Sequence, residues 1–305
     1  MIKSDKMAES KFLDPVVVED FTIPDVWFQF LIGAFKKGSA FEVSSGSYAG
    51  QVRFQMDFAL GHIKDPSRDM YHFVSEGSPI PPPTNKDYVE GYTKEDGTPV
   101  AGYIDYLMTG KKDNKEDYTY GERLNNFRIR LRGLDGELQS IGGEKVFETD
   151  INQVEEVIAR YKKDAATGFK TNQCCMEVGT PSDIRLKDPP CCRLIDAKVV
   201  NDKLQFYTYF RSWDLWGGFP GNICAIELLK QYMASSIDVD NGEIITVSGG
   251  LHVYDHCAEV VMHRIGESLF WELLENNPRI DERIRNEVRG NIQRRKEVKK
   301  EKRQD

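Results

Sequence analysis

Residues 173–247 carry three extended patterns, one helical pattern and a further extended one in succession. Cys174, Met176 and Val178 alternate through Gln173–Val178; Leu194, Asp196 and Lys198 alternate through Arg193–Val200; Leu204, Phe206 and Thr208 alternate through Leu204–Arg211. Period two is the spacing of a strand, since successive side chains leave opposite faces. Asn222–Ala234 is apolar at helical spacing, and Ile244–Val247 reads as a strand after a turn signal at Asp240-Asn241-Gly242. Adjacent strands interleaved with helices must bury their apolar faces on each other, so an α+β domain with a mixed sheet is expected.

The flanks extend this pattern. A polar leader is expected through Met1–Ser10, then a short strand at Val16–Val18. Val26, Trp27, Phe30, Leu31 and Phe35 predict a helix from Ile23, with Pro24 near its start and Gly38 at its end. Phe41–Phe58 reads as extended, and four prolines between Ser78 and Thr84 predict an open connection. Tyr103–Met108 suggests a helix end, and Lys111–Asp117 a charged loop. Ile151, Val154, Val157, Ile158 and Tyr161 mark an amphipathic helix over Asp150–Lys163, and a long helix is expected from Leu251 onward. With no repeat and no clear boundary, one domain is expected over 12–280, followed by a charged helix or tail over 281–305.

Composition removes several classes of function. Of 305 residues, 40% are hydrophobic, enough for a substantial core. Lys plus Arg number 41 against 49 Asp plus Glu, a net charge of -8, which disfavours nucleic acid as a partner and requires a local cation cluster for any anionic ligand. No apolar run approaches the ~20 residues of a membrane span, and Met1–Ser10 lacks the apolar core of a secretion signal, so no membrane partner and a cytoplasmic location are expected. The six cysteines include the adjacent pairs Cys174-Cys175 and Cys191-Cys192; none has C-x-x-C spacing, and no metal site is expected.

Three elements carry chemistry. Asp188-Pro189-Pro190-Cys191-Cys192 fixes the backbone ahead of a thiol, either to present it or simply to turn before a core cysteine. Arg211-Ser212-Trp213-Asp214-Leu215-Trp216-Gly217-Gly218-Phe219-Pro220-Gly221-Asn222 pairs a guanidinium fork and a hydroxyl, suited to a phosphate, with an amide that can read a base edge or cap a helix. Leu251-His252-Val253-Tyr254, if extended, sends His252 and Tyr254 to one side, where they could bond the hydroxyls of one ligand or satisfy each other.

In this order the elements resemble the thymidylate synthase family: a Pro-Cys nucleophile, then Arg-Ser-x-Asp-x-x-x-Gly-x-Pro-x-Asn, then His-x-Tyr. Arg211, Ser212, Asp214, Gly218, Pro220 and Asn222 fill every fixed position of the second pattern. Thr119-Tyr120-Gly121-Glu122-Arg123 resembles the family's Tyr-Gly motif. The resemblance covers about 120–259, and Tyr209–Gly218 looks most like a branch associated with archaea and thermophilic bacteria.

The resemblance implies reductive methylation of dUMP to dTMP, with 5,10-methylene-tetrahydrofolate or a methanopterin analogue as donor. Cys191 would add to C6 of the pyrimidine so that C5 becomes a nucleophile. Arg211 and Ser212 would hold the 5′-phosphate, with Arg211 near enough to acidify the thiol. Asp214 would bond the base or its surroundings, Gly218 would let the ligand approach, Asn222 would bond N3 and O4, His252 and Tyr254 the 3′-hydroxyl, and Tyr120 would help the C5 proton leave. Asp105, in preference to Glu90, would be the acid/base carboxylate. The family forms a homodimer by pairing sheet faces, and a partner's arginine pair reaches the phosphate; here only Lys170 stands in that stretch. Cys192 occupies the family's usual His position, and the chain ends in Lys299–Asp305 rather than in an apolar cap. A pyrimidine nucleotide hydroxymethylase, in which water completes the reaction, and a binding relative without catalysis are the alternatives.

Overall fold

A computed structural model describes residues 13–44, 48–129, 140–141, 144–145 and 149–301. The leader Met1–Ser10, part of the Phe41–Phe58 stretch and the last four residues of the charged tail lie outside the described residues. In chain order the elements begin β1 (Val16–Asp20), α1 (Ile23–Lys37), β2 (Ser39–Glu42), β3 (Val52–Gln55), β4 (Ala59–Ile63), α2 (Lys86–Glu90), β5 (Tyr92–Thr93), β6 (Pro99–Val100), α3 (Tyr103–Met108) and α4 (Tyr120–Asn125). Next come β7 (Phe127–Ile129), β8 (Ser140–Ile141), β9 (Glu144–Lys145), β10 (Thr149–Ile151), α5 (Gln153–Asp164), β11 (Cys175–Glu177), β12 (Cys192–Val200) and β13 (Lys203–Phe210). The last are β14 (Trp213–Asp214), α6 (Phe219–Ile237), β15 (Asp240–Ser248), β16 (Leu251–Tyr254), α7 (Ala258–Ile265), α8 (Glu267–Asn276) and α9 (Glu282–Glu301). The chain is thus the mixed α+β protein that its patterning implies.

Two compact units are distinguished. The first comprises Met1–Thr84, Phe210–Gly221 and Thr246–Asp305. Its α1 starts where expected, because the Thr22 side chain accepts the Asp25 N–H and Pro24 needs no donor in the first turn. Val26, Trp27, Phe30, Leu31 and Phe35 are fully buried, each worth about 1.5–3 kcal/mol of transfer free energy. Trp27 donates its indole N–H to the Leu215 carbonyl at 2.6 Å. A mixed four-stranded sheet runs in the order β14-β16-β3-β2, with β14 parallel to β16 and the other pairs antiparallel. Leu251–Tyr254 is therefore a strand and not the start of a long helix. All four residues are buried between β14 and β3, and helix resumes only at Ala258. The charged segment forms α9, which buries Ile284, Val288 and Ile292.

The second unit comprises Asn85–Tyr209 and Asn222–Ile245. Its strands follow the order β15-β13-β12-β11, and β11 pairs antiparallel with β12, Met176 opposite Ile195. Asn201 and Asp202, at φ 55° and 57°, make the two-residue hairpin joining β12 to β13. The expected turn at Asp240-Asn241-Gly242 is instead the beginning of β15. Gly242 serves close approach there, since a Cβ would sit 2.6 Å from the Leu204 carbonyl and from the Gln205 amide. One sheet face buries Met176, Ile195, Ala197, Leu204, Phe206 and Thr208. The other leaves Leu194, Asp196, Lys198, Tyr207 and Tyr209 partly exposed. Helix α5 is shorter than its pattern: Asn152 caps it, and Ile151 belongs to β10, paired with Phe127. Tyr161 of α5 donates to the Ala197 carbonyl at 2.8 Å. In α6, apolar almost all round, Lys230 and Glu227 form a fully buried ion pair at 2.9 Å.

Candidate functional site

In the second unit, Cys191 sits immediately before β12 and is half-buried, whereas Cys192 begins the strand and is 2% exposed. Burial pushes the Cys192 thiol far above its ordinary range, so it stays protonated and inert. Cys191 is the accessible thiol of the pair. Tyr120 opens α4, and its hydroxyl accepts the Cys192 N–H at 3.1 Å, which leaves its own proton free to donate. Burial, reinforced by the neighbouring Cys192 and Cys191 thiols, raises the Tyr120 pKa well above normal and keeps the phenol neutral. Gly121 is required by space, because a Cβ there would collide with the carbonyl oxygens of Tyr106 and Thr109.

Asn222 stands on the fourth residue of α6, inside the helix and not at its cap. Its amide donates to the Tyr103 hydroxyl at 2.8 Å. Tyr103, Tyr106, Tyr120 and Asn222 line one cleft of about 380 Å³ whose remaining wall includes Glu116, Asp117 and Asp188. Tyr103 and Tyr106 also line a second, larger cleft of about 610 Å³ with Tyr88 and Tyr92. The rings of Tyr88, Tyr103 and Tyr106 stack in series at 6.1 and 5.5 Å. Both volumes suit small-molecule ligands.

Asp105 lies exposed on α3, where its carboxylate accepts the Gly102 N–H at 2.8 Å and so caps its own helix. It does not line either cleft. Lys170 is exposed on the loop that follows Gly168 and Phe169, both at positive φ. A buried group that sequence reasoning missed is Asp183, which ties Arg193 of β12 to Arg123 of the Tyr120 helix. It accepts from Arg123 at 2.9 Å, from Arg193 at 3.4 Å, and from the Thr180 N–H and hydroxyl at 2.7 and 2.9 Å. Burial alone would raise its pKa, but these donors hold it below the usual aspartate value. The Thr180-Pro181-Ser182-Asp183 spacing of a capping box was the available signal.

In the first unit, Arg211 and Ser212 are half-buried between β13 and β14. Asp214 accepts the Trp216 and Gly217 N–H groups at 2.9 and 3.0 Å and so folds the turn that leads to Gly218 and α6. His252 and Tyr254 do share a side, their rings edge-on at 4.8 Å. The His252 Nδ1 faces the Gly250 carbonyl at 2.8 Å; because that oxygen only accepts, Nδ1 carries the proton and Nε2 is the acceptor. Nε2 is buried with no hydrogen-bond partner. Burial drives the His252 pKa down to about 3, opposed by the Gly250 bond and aided by the charges of Arg53 and Arg211. Arg53 is the second missed residue. It lies directly opposite Tyr254 across the β3–β16 pair, as Gln55 lies opposite His252.

The thymidylate synthase family model matches residues 100–280, starting before and ending beyond the stretch that the motifs marked. Among curated relatives, the "Putative thymidylate synthase" of Methanosarcina mazei is 28% identical over 255 residues, covering 83% of this chain and 96% of that protein. The protein of the same name from Methanococcoides burtonii is 27% identical, covering 77% of this chain and 88% of its own length. A Listeria monocytogenes "Thymidylate synthase" is 26% identical over 188 residues, 59% of this chain and 60% of that protein. Archaeal proteins thus stand among the similar ones, as the Tyr209–Gly218 wording suggested. With the family model matched over more than half of its length, the chain belongs to the thymidylate synthase family.

Proposed function

We propose that the protein is a thymidylate synthase acting in the cytoplasm on dUMP. The observation that carries this reading is the accessible Cys191 beside a neutral Tyr120 phenol, in the unit where Asn222 lines the same cleft as Tyr120. The Cys191 thiolate attacks C6 of the pyrimidine; the electron pair moves to C5 and O4. Asn222 offers its amide to the base edge, with Tyr103 fixing the amide's orientation. Arg211 and Ser212 bind the phosphate, and His252 with Tyr254 binds the sugar hydroxyl. After C5 has taken the one-carbon unit, Tyr120 assists departure of the C5 proton, and the Cys191–C6 bond breaks to release product. Asp105 is occupied as a helix cap; the acidic wall of Glu116, Asp117 and Asp188 offers carboxylates nearer to Tyr120 and Asn222.

The one-carbon donor, a reduced folate or a methanopterin analogue, supplies the methylene carbon and the hydride that reduces it. The cleft lined by Tyr88, Tyr103 and Tyr106 would hold its flat heterocycle against their apolar ring faces. The open sheet face with Leu194, Tyr207 and Tyr209 is the surface for pairing two copies, which would carry Lys170 toward the partner's phosphate. Charged side chains such as Glu116, Asp117 and Asp188 attract water to a cleft, and this favours hydroxymethylation as a second reading. Incubation with dUMP and methylene-tetrahydrofolate, followed by mass analysis of the nucleotide, tests both. Synthase activity gives dTMP; a product heavier by one oxygen identifies the hydroxymethylase; recovery of unchanged dUMP would refute both.

A further inference from the structure

The sheet face that carries His252 and Tyr254 carries two more polar side chains in strict register. Arg53 is paired with Tyr254 and Gln55 with His252 across one antiparallel ladder, so the four form a block on the same face. The guanidinium of Arg53 donates to the Gln55 side-chain carbonyl. It lies over the Phe41 ring, 5.3 Å from the centroid, on the far side from β16. Its charge, set directly opposite Tyr254 across the ladder, lowers the pKa of that phenol against the raising effect of burial. Its Nε is buried with no partner, as is Nε2 of His252. Gln55 and Phe41 thus hold a planar, always charged fork on the face that carries Tyr254.

This has a directional consequence. A hydroxyl beside a fixed positive charge turns its oxygen toward that charge and its proton away, so Tyr254 is presented as a donor. His252, protonated on Nδ1 by the Gly250 contact, is presented as an acceptor at Nε2. A donor beside an acceptor is complementary to a ligand hydroxyl, which accepts from one and gives to the other. Neither a ketone nor an ether oxygen can satisfy both.

We propose that Arg53 is a positioning residue for recognition of the ligand's sugar hydroxyl, fixing Tyr254 as the donor of a donor–acceptor pair completed by His252. This rests on the nucleotide reading of the site. Arg53 touches the ligand through Tyr254, and its role is selectivity for the hydroxyl rather than attraction of the phosphate.

The test is calorimetric binding of dUMP and of 2′,3′-dideoxyuridine 5′-monophosphate, which lacks the 3′-hydroxyl, to the wild-type chain and to Arg53→Gln. Wild type is expected to prefer dUMP by roughly tenfold, the worth of one well-placed hydrogen bond. Arg53→Gln is expected to lose that preference through weaker dUMP binding, with the dideoxy affinity unchanged. Arg53→Lys retains the charge without the fork and is expected to lose it as well. In a Tyr254→Phe background, Arg53→Gln is expected to cost no further preference, a control that does not depend on the stability of the single variant. Equal weakening of both nucleotides by Arg53→Gln would assign Arg53 to the phosphate or to the fold and overturn the proposal. Retained preference in Arg53→Lys, or a further loss in the Tyr254→Phe background, would do the same. Failure of the wild-type chain to bind either nucleotide would refute the nucleotide reading itself, and this proposal with it.

Discussion

Acidification from pH 7 to pH 5 should cost the protein stability through one buried side chain. His252 is 3% exposed, and its pKa is about 3 against an ordinary 6.5. The folded chain therefore keeps this imidazole neutral where the unfolded chain protonates it. The stability it contributes is complete above 6.5 and is lost as pH falls from 6.5 toward 3, because the unfolded state binds the extra proton. Integrating the two titrations between pH 7 and pH 5 gives a loss of about 2 kcal/mol. Urea unfolding followed by far-UV circular dichroism at both pH values measures it. Carboxylates titrate near this range too, so the informative quantity is the difference between wild type and His252→Gln. The variant should be less stable at pH 7, since Gly250 loses its donor, but should shed about 2 kcal/mol less on acidification. An equal loss in both proteins would refute the reasoning that His252 is held neutral by its surroundings.

Other outcomes follow from the same geometry. Asp183→Asn should lower stability by about 2–3 kcal/mol, because Arg123 and Arg193 lose a buried counter-charge; it should also raise iodoacetamide labelling of Cys191 relative to the exposed Cys175, read by peptide mass mapping. Labelling of Cys191 and Cys175 in wild-type proportion would contradict the coupling of Asp183 to the start of β12. Asn222→Asp should shift the dUMP/dCMP preference toward dCMP, since the carboxylate lacks the amide donor; steady-state competition between the two nucleotides reports it, and an unchanged ratio would show that another group reads the base. Light scattering should return about twice 34.9 kDa, and Lys170→Ala should weaken dUMP binding without dissociating the dimer; a fully active monomer would contradict the shared site.

Much of this was legible in the residues wherever one local signal agreed with one period. Helix α1 announced itself through Pro24, Gly38 and a one-sided apolar stripe, and the tertiary structure respects each of them. The strands over 173–211 were legible because their faces alternate. Signals failed where a residue type has two uses. Asp240-Asn241-Gly242 reads as a turn by composition, yet Gly242 is needed so that β15 can pass the Leu204 carbonyl. The real turn, Asn201-Asp202, is made by two residues that tolerate positive φ without glycine. Leu251–Tyr254 is buried on both faces, so it shows neither period, and the helix of α7 was read too early.

The site divides in the same way. Cys191, Tyr120 and Asn222 carry motif signatures; Tyr120 accepts the Cys192 N–H and Asn222 donates to Tyr103. Asp105 reads as the acid/base carboxylate because it lies in the helix end before the Tyr-Gly motif; in the fold its carboxylate accepts the Gly102 N–H. Arg53 looks like an ordinary outward residue on an alternating strand. Only the pairing of two segments two hundred residues apart in sequence, β3 against β16, shows that it faces Tyr254. Long-range register of this kind is set by tertiary packing, which local patterns do not encode.

The central claim, that Cys191 is the nucleophile toward a pyrimidine nucleotide, is tested most directly by dUMP turnover with methylene-tetrahydrofolate in Cys191→Ser and Cys192→Ser beside the wild type. Cys191→Ser should abolish dTMP formation while still binding dUMP and melting as the wild type does, because a hydroxyl is a far weaker nucleophile at neutral pH. Cys192→Ser should retain substantial turnover, since that thiol is buried and protonated. Loss of turnover in Cys192→Ser with activity preserved in Cys191→Ser would contradict the claim.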